Sequence, residues 1–178
     1  VIPAYAVDLW QRAHVSRWRA GPMRRIITSI VVHATSGHGS AQGVADMWSR
    51  APAAGESNSS AHLVVGADAY AIQCVHFDDV ANHAHLANAH SIGLEFCARK
   101  PGTFEPDDPG VIPTVAQLAK GASIIAWLCR TYAIPATRTC ILGHAEADPD
   151  TSHTSCPQGD GIDLDHLVAD VARLMETP

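Results

Sequence analysis

The chain has 178 residues, 47% hydrophobic and 17% charged, with a net charge of −6. That length suits one domain with a substantial core, and the composition excludes a disordered chain. The negative balance gives no electrostatic basis for binding nucleic acid or an anionic membrane, and no apolar run reaches the roughly 18 residues of a membrane span. Val1-Ile2-Pro3-Ala4-Tyr5 lacks a basic stretch followed by an apolar one, so no signal peptide is expected. Without an initiating methionine, the chain reads as a mature product or a domain cut from a longer protein. Of five cysteines, Cys74, Cys97, Cys129 and Cys140 are expected to be reduced, with Cys74 and Cys97 inside apolar strand-like runs.

In chain order, residues 1–25 carry Trp10, Trp18 and several arginines with little periodicity. They are expected to form a loop-rich lead-in with a short helix near 7–14. Ile26–His33 is β-branched and continuously apolar, which predicts a central strand. A Gly/Ser turn over 35–40 leads to a helix over 41–49, with Val44, Met47 and Trp48 on one face. Residues 51–60 form a loop. Strands are expected over 61–65 and 69–75, joined by Gly66-Ala67-Asp68 as a hairpin. The stretch 76–90 is polar and irregular, 91–98 is a strand, and 100–113, with four prolines, is a loop. Thr114–Tyr132 is the clearest helix: its apolar residues recur near a 3.6 period, and Thr114 with Gln117 forms a capping box. A short strand over 139–143, a loop over 145–161 and a helix over 163–175 with Leu164, Leu167, Val168, Val171 and Leu174 on one stripe complete the chain. The expected fold is α/β: a single domain with a mixed central sheet flanked by helices, 1–25 leading into 26–178.

Four reactive side chains fall where apolar runs end. His33 follows Ile30-Val31-Val32, Glu95 follows Ile92-Gly93-Leu94, and His144 follows Ile141-Leu142-Gly143. Cys156 comes twelve residues after His144, before Pro157. Singly, each has an ordinary structural explanation: a histidine satisfied at a strand end, a core thiol, an acid paired with an arginine. Together, two imidazoles, a thiol and a carboxylate are what a catalytic zinc site requires, with three protein ligands and a carboxylate to handle protons. No His-Glu-x-x-His is present, which argues against a helix-borne peptidase site.

Four segments in order resemble the zinc-dependent N-acetylmuramoyl-L-alanine amidases, whose fold is shared by peptidoglycan recognition proteins. They are Ile30-Val31-Val32-His33-Ala34-Thr35, Ser59-Ser60-Ala61-His62-Leu63-Val64-Val65, Asn88-Ala89-His90-Ser91-Ile92-Gly93-Leu94-Glu95, and Gly143-His144 with Cys156-Pro157. The resemblance implies a zinc amidase catalytic domain over 26–178. His33, His144 and Cys156 match the positions that hold one Zn2+, and Glu95 matches a catalytic glutamate. Relatives that use a tyrosine before the second-strand histidine have Ala61 there in this chain. The lysine that many relatives carry two residues before the third ligand is Thr154 here, so His153, Thr154 or the zinc itself is left to hold the oxyanion. His62, His83 and His90 match polar positions around the substrate groove, although His62 suits a packed or supporting role. His38, His76, His85 and His166 are expected at the surface.

The implied activity is cleavage of the amide between N-acetylmuramic acid and L-alanine in bacterial peptidoglycan or muropeptides. The expected protein is a monomer without nucleic-acid or membrane-inserted partners. The alternative is a non-catalytic peptidoglycan-binding recognition module, against which Cys156 argues. A phage endolysin made in the host cytoplasm and acting on the wall, or the excised catalytic domain of a secreted wall hydrolase, fits the chain.

Overall fold

The computed structural model describes residues 7–23, 25–37, 40–103 and 105–176. His38 and the first five residues lie outside them. Eight strands form two sheets: β1 (Leu9–Trp10), β2 (Trp18–Arg19), β3 (Ser29–Ala34), β4 (Leu63–Val65), β5 (Ala71–Gln73), β6 (Val80–Ala81), β7 (Ser91–Phe96) and β8 (Ile141–Gly143). The helices are α1 (Ala41–Ser49), α2 (Val115–Tyr132), α3 (His144–Ala147) and α4 (Leu164–Glu176). The main sheet runs β1-β5-β4-β7-β3-β8, and β2 pairs with β6 beside it. Within the main sheet only β4 and β5 are antiparallel, as the short hairpin requires; every other pairing is parallel. The sheet is therefore mixed, as expected.

Both faces of the central strands are covered, which is why their sequences read as unbroken apolar runs. Period two splits them. Ile30, Val32, Leu63, Val65, Ile92, Leu94, Phe96 and Ile141 join α2 and α4 in the larger core. On the other face, Val64, Ile72, Cys74 and Cys97 pack against Val44, Ala45 and Trp48 of α1. His33 and Glu95, one step out of phase with the larger core, belong to the α1 face.

Helix α2 begins as its sequence predicts. The Gln117 amide N–H donates to Thr114 Oγ1 at 3.1 Å, and the Thr114 N–H donates back to Gln117 Oε1 at 3.4 Å. Gln117 is fully buried and its Nε2 donates to Val65 O and Cys97 O at 2.9 and 3.2 Å, which docks the helix start onto the ends of β4 and β7. Gly121 brings the helix close to the sheet: a Cβ there would lie 2.2 Å from Phe96 Cζ. Val115 and Leu174, read as part of the apolar stripes, are exposed in the first turn of α2 and the last turns of α4.

The expected helix near 7–14 is not formed. Asp8, Gln11 and Ala13 donate their backbone N–H groups to Ala71, Gln73 and Cys74 carbonyls at 2.8 to 2.9 Å, so this segment extends along the edge of the sheet. A partner strand satisfies these donors, and tertiary pairing outweighs local pattern. Two stretches read as irregular also carry structure: Val80–Ala81 pairs with Trp18–Arg19, and α3 starts directly at His144. The other expected elements form, with ends shortened by a few residues. All five cysteines are free thiols.

Candidate metal centre and catalytic groove

The parallel strands deliver the site at their C-terminal ends. His33 on β3 is in direct register with Glu95 on β7. Val32 is in register with Gly143, so His144, the next residue, enters α3 beside His33. Their ring centroids are 4.6 Å apart. The loop after α3 returns Cys156 to the same place. Donor atoms of His33, His144 and Cys156 all lie within 4.8 Å of one another. The Ala34 amide N–H donates to Cys156 Sγ at 3.4 Å, an arrangement that favours a thiolate. His153 stacks on His144, with centroids 5.2 Å apart and planes 18° from parallel.

These residues line an open cavity of about 180 Å³. α1 contributes Val44, Met47 and Trp48 to the lining, and Ser59, Ser60 and Asn82 add polar groups. Two arginines, Arg17 buried and Arg25 half-buried, fix the surrounding loops. Arg17 donates to the Ser57 and Ser59 carbonyls at 2.8 and 3.0 Å and pairs with Glu56 at 2.9 Å. Arg25 donates to the carbonyls of Phe77 and Asn88, both at 2.7 Å, and to those of Asp79, Ala89 and Ser91. Burial lowers its pKa to about 10. Neither clasp was foreseen from sequence; an arginine bound to scattered carbonyls has no spacing signature.

Burial sets the protonation of the site. It holds the His33 imidazole well below its ordinary pKa, with His83, His144 and His153 adding to the effect. His144 is lowered by burial and then by His153. Burial, then Asp160, pushes the Glu95 carboxyl up to about 8. Burial, then Glu95, pushes the Cys156 thiol up to about 12. Two neutral imidazoles and a thiol thus converge beside a carboxyl, and among the described residues no Lys or Arg lines the cavity. This soft, cation-free donor set fits a zinc ion, whose charge would reverse the penalty on ionising the thiol and carboxyl.

The model of one protein family, described as N-acetylmuramoyl-L-alanine amidase, matches residues 23–159. The chain belongs to this amidase family. Among solved structures, the amidase is similar to a mutant endolysin from Bacillus subtilis, with 20% identity over 93% of this chain and 99% of that chain and a TM-score of 0.68. It is similar to AmpD in its selenomethionine derivative, with 21% identity over 96% and 99% of the two chains and a TM-score of 0.70. It also resembles the N-acetylmuramoyl-L-alanine amidase LysC from Clostridium intestinale URNW, with 18% identity, 92% and 97% coverage and a TM-score of 0.62. At these identities the structural likeness is one of fold. No curated protein sequence matches the chain.

Not every expected site residue reaches the groove of the amidase. Glu95, His33, His144, Cys156, His83 and His153 line the cavity. Thr154 is exposed and is not among the lining residues, whereas its neighbour His153 is. His62 is fully buried, so it has no face for substrate. Its Nδ1 accepts the Gly93 N–H at 3.0 Å and its Nε2 lies 3.2 Å from Asp79 O. Burial and then the Arg25 charge lower its pKa to about 3. His90 is exposed at the start of β7, five residues before Glu95, hence roughly 16 Å from the active end of that strand. His83 lines the cavity but is mostly buried against His33: its Nδ1 is 3.1 Å from His33 Nε2. His76, His85 and His166 are exposed, as expected. Asp160, missed from sequence, is buried near Glu95, where Ser36 Oγ and the Lys100 amide reach it at 3.4 and 3.3 Å.

Proposed function

We propose that this peptidoglycan amidase cleaves the amide between N-acetylmuramic acid and L-alanine, with one zinc ion held by His33, His144 and Cys156. The observation that carries this reading is the convergence of those three donors beside Glu95 in a cavity that no described Lys or Arg lines. Bound there, zinc supplies Lewis acidity toward the scissile carbonyl and a water molecule. Glu95 carries the proton. Its carboxyl stands opposite His33 on the neighbouring strand, and a raised pKa suits a group that must both take a proton from water and return it to the departing L-alanine amine. Once the cation is in place its charge draws that pKa back down toward neutrality. His153, at the cavity rim on His144, donates to the carbonyl oxygen as it becomes negative, in place of a lysine. Val44, Met47 and Trp48 line the groove together with Ser60 and Asn82, and this mix of apolar and polar groups suits a junction of amino sugar and peptide.

The amidase acts on the wall as a monomer of the endolysin type; among the described residues no helix is long and apolar enough to cross a membrane. The test is hydrolysis of purified sacculi. Free N-terminal alanine should rise, turbidity should fall, and chelation should stop both. New reducing sugar without new alanine would sink the assignment, and so would amines from other residues. Binding without either product would favour the recognition-module alternative.

A further inference from the structure

His83 is buried at the edge of the cavity, and both of its ring nitrogens have partners. Ser91 Oγ lies 2.7 Å from the Ala87 carbonyl and 3.2 Å from His83 Nε2. A carbonyl can only accept, so the single hydroxyl proton of Ser91 goes to Ala87, and Ser91 Oγ must accept from His83 Nε2–H. A buried neutral imidazole carries one proton, so His83 Nδ1 is left as an acceptor. It faces His33 Nε2 at 3.1 Å, with the rings 88° apart. His33 must therefore carry its own proton on Nε2, which leaves the Nδ1 lone pair bare. At His144, Nε2 lies 3.4 Å from Thr151 Oγ1.

We infer that His83 is a positioning residue: with Ser91 and the Ala87 carbonyl it forms a directional hydrogen-bond chain that locks His33 in the Nε2–H tautomer and presents Nδ1 to the metal. The fold makes specific room for it. A Cβ at Gly93 would lie 2.7 Å from His83 Cγ and 2.8 Å from its Nδ1, so the ring occupies the space that a side chain on β7 would fill. Asn88 Oδ1 accepts from the His83 and Ala84 amides at 3.0 and 2.6 Å, which holds the turn that delivers the ring. A histidine ligand whose far nitrogen donates to a fixed acceptor is oriented and made more basic toward a metal. The inference rests on the zinc reading for its purpose, but its geometry can be tested without metal.

In metal-free, 15N-labelled protein, long-range 1H–15N correlation should show His33 as the Nε2–H tautomer. His83→Leu removes the acceptor; both His33 tautomers should then appear, and zinc affinity by chelator competition should fall about 10- to 100-fold. His83→Asn places an amide oxygen near the Nδ1 position and should restore both the tautomer and most of the affinity, which a purely space-filling role would not do. Finding His33 as the Nδ1–H tautomer in the metal-free wild type overturns the inference. So does a folded His83→Leu with unchanged tautomer and affinity. If His83→Leu does not fold, the wild-type spectrum decides alone. A wild type that takes up no zinc would refute the proposed metal centre instead, while the spectrum would still decide the hydrogen-bond chain.

Discussion

Replacing Glu95 by glutamine should make the metal-free amidase more stable and the loaded enzyme nearly inactive. The folded protein holds the Glu95 proton up to about pH 8, against an ordinary value of 4.5. The raised value means that folding favours the protonated acid. Its contribution is fully present below pH 4.5 and is lost as pH rises through 8. At about 1.4 kcal/mol per pH unit, ionising this carboxyl inside the fold at pH 8 costs up to roughly 4 kcal/mol. Glu95 is partly open to the cavity, so water reduces the cost to about 2–4 kcal/mol. Glutamine is of similar size and cannot ionise, so Glu95→Gln removes the penalty. Urea unfolding of chelator-treated wild type and variant at pH 5 and pH 8 reads the effect. Wild type should lose stability relative to the variant over that interval, and the difference isolates the carboxyl because both proteins share the same histidines. With zinc restored, the variant should lose about 100- to 10,000-fold in turnover while keeping the metal. Parallel stability profiles at the two pH values would refute the burial argument, and near-normal turnover on muropeptides would move the proton carrier elsewhere.

Elemental analysis of protein purified without added metal should find near-stoichiometric zinc, and His144→Ala and Cys156→Ala should each abolish it; unchanged zinc content in both would remove the metal assignment. His153→Ala should lower kcat by about 10- to 1,000-fold with zinc retained, whereas exposed Thr154→Ala should behave as wild type in the same muropeptide assay. Burial holds His33, His62 and His83 below their ordinary pKa, so the stability each contributes is present above about pH 6.5 and lost as pH falls. Metal-free protein followed by circular dichroism should accordingly unfold on acidification between about pH 6.5 and 3, and a fold unchanged at pH 3 would contradict their burial. Gly121→Leu should cost about 1–3 kcal/mol and lower Tm by several degrees, because its Cβ would overlap the Phe96 ring; an unaltered Tm would show that the helix can move away.

The α/β class and the elements from β3 to α4, except β6 and α3, could be read from the chain because their signals are local. Apolar runs at His33, Glu95 and His144, the Thr114–Gln117 capping box and the 3.6 period of α2 each arise within a few residues. The cluster of His33, His144 and Cys156 was legible for a related reason: a strand end delivers its next residue to the same end of the sheet, and the donor types restrict the chemistry. Reading stopped where the partner lay far along the chain. Residues 7–14 look helical in isolation but bond to β5 more than sixty residues later. His62, His83 and His90 look alike in sequence, yet one is sealed inside the fold, one is bound to His33 and one stands at the wrong end of its strand.

The sequence by itself thus determined which chemistry the protein can carry: two imidazoles and a carboxylate at the ends of buried runs, and a thiol in the loop beyond. Only the tertiary structure decided how those groups are tuned. The register of β3 with β7 sets Glu95 against His33, the loop after α3 returns Cys156 to them, and burial among these elements keeps the imidazoles neutral and the carboxyl protonated. The order of residues along a chain states what each side chain can do in water. Desolvation and hydrogen-bond direction, which select its protonation state and tautomer, exist only once distant segments close around it.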